Sequence, residues 1–126
     1  MSGRIGKMDY SELSDFEINK LVAEKYLSCE YRFNDELQYI ELLFDYPHRE
    51  FRKGIEMRKE VLGIYDPCNK SSQAMPIIIK YGISLLFRDR KFHYASNDGE
   101  MECFLDNPYK AAMVIFLHMK DKENEN

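Results

Sequence analysis

The sequence predicts an α+β fold: a single domain with about three helices packed on a small antiparallel sheet, its C-terminal half running helix, β-hairpin, helix. Three observations predict it. A strong helix-start signal at Ser14 is followed by apolar residues at helical spacing. An apolar run over 73–81 stops at Gly82. Two short runs, "ISLLF" and "FHYAS", flank the charged turn "RDRK".

The first helix is read over 15–27. Ser14 and Glu17 form a capping box, in which the hydroxyl takes an orphan N–H and the carboxylate reaches back. Leu13 and Ile18 are placed for a hydrophobic staple, and Phe16, Leu21, Val22 and Tyr26 recur along one face. Asn34-Asp35 reads as a turn between two short strands, the second over 38–44 and ended by Pro47. The segment 47–63 is variable and charged. Five basic and three acidic side chains stand among Phe51, Ile55, Met57, Val61 and Leu62, and Gly54 interrupts any helix. A short helix or a mobile charged loop both fit it.

Asp66-Pro67 predicts a turn. Asn69, Ser71 and Ser72 are all competent caps for a helix over 73–81, with Pro76 tolerated only in its first turn. Gly82 suits a left-handed C-terminal cap, with Ile83 folding back onto the last turn. Asp98-Gly99 marks a further turn. Asn107 caps a final helix with Pro108 at its first position. Ala111, Ala112, Ile115, Phe116 and Met119 give that helix a broad apolar face. Residues 1–8 read as a flexible leader, 9–119 as the domain and 120–126 as a disordered tail.

Composition limits function. The chain of 126 residues is 44% apolar and 32% charged, a globular balance. A net charge of -4 argues against nucleic acid as a partner. The first residues carry no apolar h-region, and no run is long enough to span a bilayer. Cys29, Cys68 and Cys103 are widely spaced without a CxxC, which suits reduced thiols and a cytoplasmic setting.

Four strings in order, "SELSDFEIN", "YDPCN", "MPIIIKYGISL" and "NPYKAAMVIFL", resemble the phage NinX-like family of small bacteriophage proteins. Residues 28–64 carry no matching motif, and the charged segment within them looks like an insertion or a rebuilt face. The resemblance implies a phage accessory protein in the cytoplasm of the infected host. It supplies no catalytic residue.

Cys68 lies ahead of a helix start, where a dipole lowers a thiol pKa, but needs a base that only the fold can bring. A small buried loop thiol is the simpler reading. No His, Cys or Asp spacing matches a metal site, so no metal or cofactor is expected. Asp66, Asn69, Ser71, Tyr94 and Asp98 are candidates for a small-ligand site, if the fold joins the loop at 66–72 to the turn at 96–100. Phe92 and Tyr94 stand on one side of their strand by alternation and suit a core or a stacking face. Arg49, Arg52, Lys53, Arg58 and Lys59 are candidates for contact with a protein partner. The expected function is therefore non-enzymatic: an accessory protein that binds a host factor for takeover or counter-defence. Sequestration of a nucleotide or signalling molecule is the alternative, and a Cys68-dependent enzyme is weaker. A homo-oligomer would protect sheet edges.

Overall fold

The computed structural model describes residues 9–51 and 54–124, with the backbone course alone for 48–51. A short 3-10 turn, Tyr10–Glu12, precedes helix α1, Asp15–Tyr26. Strands β1 (Tyr31–Asn34), β2 (Tyr39–Phe51) and β3 (Gly54–Ile64) form one antiparallel sheet in that order. Helix α2 (Ser71–Tyr81) leads to β4 (Ser84–Arg88), β5 (Lys91–Asn97) and β6 (Met101–Cys103), a second antiparallel sheet. Helix α3, Pro108–Asn124, closes the domain. The fold is α+β, with the expected small sheet divided into two. The leader at 1–8 lies outside the described residues.

Local chemistry explains most of the elements. The Ser14–Glu17 capping box forms in both directions, at 3.1 Å each way. Leu13 packs on the core and Ile18 is fully buried, as a staple requires. Gly82 takes the left-handed conformation with φ 63°, and Ile83 donates back to the Ile78 carbonyl. Asn107 Oδ1 accepts from the N–H groups of Tyr109 and Lys110 and so caps α3.

Four expectations are corrected. The segment 47–63 is neither helix nor loop: it supplies the end of β2 and nearly all of β3. Pro47 does not end β2. It lies beside a bulge at His48, a place where a strand tolerates proline. Asn69, Ser71 and Ser72 do not cap α2. Lys70 holds the N-cap position with no side-chain bond, because the Asn69 amide is drawn to the carboxylates of Asp15 and Asp66. Pro76 lies beyond the first turn of α2, on an exposed side where water can satisfy the carbonyl it leaves free.

α3 is the centre of the body. Every residue from Ala111 to Leu117 is buried, so the helix is enclosed all round instead of presenting one face. α1, α2 and the second sheet pack around it. The Phe116 ring meets Tyr26 and Tyr81 edge-on, with centroids 6.2 and 5.0 Å away. Residues 120–124, expected in a tail, continue the helix, and the Tyr10 hydroxyl donates to Asp121.

The first sheet is anchored at its base alone. Ile40 and Leu43 are buried, with Tyr31, Phe33 and Leu42 packed on the core. Beyond Leu43 the β2–β3 hairpin runs outward as a two-stranded arm. Its side chains Phe44, Tyr46, Ile55 and Met57 are exposed.

Candidate functional site

Three helix starts meet at one place. Asp15 opens α1, residues 66–70 lead into α2, and Asn107 caps α3. Asn19, 95% buried at a relative exposure of 5%, donates to Asp66 at 2.7 Å and accepts from the Cys68 N–H at 3.1 Å. Asn69 Nδ2 lies 3.0 Å from Asp15 and 3.1 Å from both oxygens of Asp66. Asn107 donates to the Cys68 carbonyl at 2.7 Å and to Asn69 Oδ1 at 3.1 Å. Lys110 completes the cluster through an ion pair with Asp15 at 3.0 Å.

The cluster is a clamp. Each asparagine uses both ends of its amide, so each polar group inside is matched by another. Burial alone raises the Asp15 carboxyl, but bonds from Asn69 and Lys110, with the Lys110 charge, outweigh it and hold its pKa below the usual value. Burial pushes the Cys68 thiol well up, the charges of Asp15 and Asp66 add to this, and Lys110 opposes them. A nucleophilic thiol needs the reverse setting. Cys68 is a neutral, packed side chain with its Sγ near the Asp15 carbonyl.

A cavity of about 110 Å³ borders the clamp, lined by the polar Asp15, Asn19, Asp66 and Asn69 and by the apolar Phe16 and Ile40, with Tyr65. It has room for several waters or a small polar group. A drug-sized site is larger, from about 300 Å³. Among the described residues no three His, Cys, Asp or Glu side chains converge as metal ligands would.

The proposed ligand residues are not gathered together. Asp66 and Asn69 belong to the clamp, and Ser71 is exposed at the first position of α2. Asp98 sits with φ 49° in the β5–β6 turn, whose Glu100 pairs with Lys122 near the end of α3. The clamp is at the other end of that helix, about 22 Å away for the fifteen residues between Asn107 and Lys122. Tyr94 lies against the Phe104 ring, with centroids 4.9 Å apart. Alternation misplaces it. The register shift between Leu86 and Phe87 leaves His93 as an extra residue in β5. Phe92 then packs on the core, while His93 and Tyr94 both meet Phe104 on the outside.

Of the proposed partner residues, Arg49, Arg58 and Lys59 lie on the arm. Arg58 stands opposite Tyr46 in the ladder, and Lys59 pairs with Asp45 at 2.8 Å and with Glu30. Arg49 sits on β2 at the position facing Glu56. Arg52 and Lys53 lie outside the described residues. The sequence reading missed the aromatic residues beside them. Phe44 and Tyr46, two apart on β2, share a face with ring centroids at 6.1 Å. Their i, i+2 spacing was the available sign.

A family model described as "Bacteriophage P22, NinX" matches residues 9–120. The chain belongs to this phage family. The NinX match spans residues 9–120, so the arm lies within the matched stretch of the chain. The strings "SDFEIN", "YDPCN" and "NPYKAA" that resemble the NinX-like family are the ones that build the clamp. No curated protein and no solved structure matches the chain. No helix among the described residues is long and apolar enough to cross a membrane.

Proposed function

We propose that the chain is a phage accessory protein that acts by contact, without catalysis, and binds a host protein in the cytoplasm of the infected cell. The arm is the binding element. One observation carries the reading: Phe44 and Tyr46 stand exposed on a ribbon held off the body. Exposed aromatics flanked by a charged residue such as Arg58 make the usual anchors of a protein interface.

Affinity capture from host lysate tests it, with the native chain beside Phe44→Ala/Tyr46→Ala. A host protein held at near-equal stoichiometry by the native chain and lost by the double variant is the expected result. Capture that ignores both substitutions would remove the arm from the binding site.

A second reading has its own observation. The cavity beside Asp15, Asp66 and Asn69, walled also by Phe16, Ile40 and Tyr65, favours a small ligand with both polar and apolar parts, in line with sequestration of a signalling molecule. Mass spectrometry of small molecules released on denaturing the purified chain tests that reading. A stoichiometric ligand, lost in Asp66→Ala, would support it over the arm.

A further inference from the structure

β3 is the outer strand of its sheet, eleven residues long, and its second edge faces away from β2. Ile55, Met57 and Val61 along it are exposed. Beyond the anchored base the arm is a two-stranded ribbon, which is marginal in water without a third strand. Charges on an edge ordinarily block pairing with another strand. Here they alternate in sign closely enough to choose a register instead.

We propose that β3 pairs antiparallel with β3 of a second copy of this chain, about a two-fold axis that runs between Met57 and its counterpart. The two-fold axis of a continuous sheet keeps each side chain on its own face. It therefore passes midway between one residue and its own copy, which face each other. β3 is regular from Gly54 to Val61, so these centres can be compared directly. A centre at Glu56, Arg58, Lys59 or Glu60 sets like charges directly opposite each other, which destabilises the pair. Centres at Ile55 or Val61 bring no opposite charges face to face. Met57 sets thioether against thioether and places Glu56 opposite Arg58 of the second copy, twice by symmetry. Ile55 then lies along the stem of the second copy's Lys59. The product is a four-stranded ribbon that displays two Phe44–Tyr46 pairs on one face. Dimerisation stands or falls independently of the host partner.

The test uses the full chain. Light scattering with size exclusion should give twice the 15.0 kDa chain mass at micromolar concentration. Glu56→Arg alone, or Arg58→Glu alone, should weaken the dimer at least about tenfold, because both facing pairs become like-charged. The double exchange restores it, and mixing the two single variants gives a heterodimer. In a Cys29→Ser background, Met57→Cys should oxidise to a covalent dimer, since directly opposed strand residues lie within disulfide reach. Circular dichroism of each variant checks that the body stays folded. A monomer up to the millimolar range overturns the proposal. So does a dimer that ignores the charge exchanges or fails to crosslink at position 57.

Discussion

The body and the arm differ in how they use apolar side chains. In the body, α3 is enclosed along seven consecutive residues, and the buried Asn19 amide answers the half-buried Asp66 carboxylate at the clamp. In the arm, Phe44, Tyr46, Ile55 and Met57 meet water on a ribbon that touches little but itself. The same chain thus holds one region that is closed and packed and one whose contacts are incomplete. Stability lives in the first. The proposed recognition falls to the second, because exposed apolar surface gains most from a partner.

That contrast can be tested by substitution. Phe116→Ala should have the largest effect, lowering unfolding free energy by about 3–5 kcal/mol in denaturant titration. A much smaller loss would show that α3 is less tightly enclosed than the geometry states. Asn19→Ala should cost about 1–3 kcal/mol, since it strips a partner from both Asp66 and the Cys68 N–H. Cys68 should then react faster with a thiol reagent, while in the native chain the exposed Cys29 reacts first.

The clamp also sets a pH dependence. The folded Asp15 carboxyl has a lowered pKa, so its ionised form favours the fold. Its contribution is present in full above the unfolded Asp value of about 4 and is lost as pH falls through the folded value. Asp15→Asn should therefore lower stability at neutral pH and flatten the acid limb of a stability profile. An unchanged acid limb would detach Asp15 from the clamp's energetics. The smallest effect belongs to the arm. Phe44→Ala/Tyr46→Ala should leave the body's unfolding free energy within about 0.5 kcal/mol of the native value, as exposed sites do. A larger loss would mean that the arm packs on the body after all.

Legibility in the sequence followed the range of the interactions. Ser14 with Glu17, Gly82, and Asn107 with Pro108 work through bonds to near neighbours, and all three were readable from spacing. Asn69 was misread because its nearest role, a cap, lost to carboxylates that include Asp15, far away along the chain. β3 was hidden for a different reason. Its run "GIEMRKEVLGI" has charges where a half-buried strand would alternate, because both of its faces meet solvent along the arm. Tyr94 shows the limit of periodicity itself: one unpaired residue, His93, moved it to the other face. The clamp was present in the sequence as three separate strings, but nothing local shows that they touch.

The central place of α3 also bears on the order of events during synthesis. α1 ends at Tyr26 and α3 begins at Pro108, so their contact joins distant parts of the chain. A ribosome adding roughly 5–20 residues per second needs several seconds to cover that interval. Throughout it, Phe16, Ile18 and Val22 have no α3 to close over them. The nascent body stays open until nearly all of the domain has emerged, while the β2–β3 hairpin can pair long before. In the growing chain the order of maturity is reversed: the arm is built early, and the body that carries it is completed last.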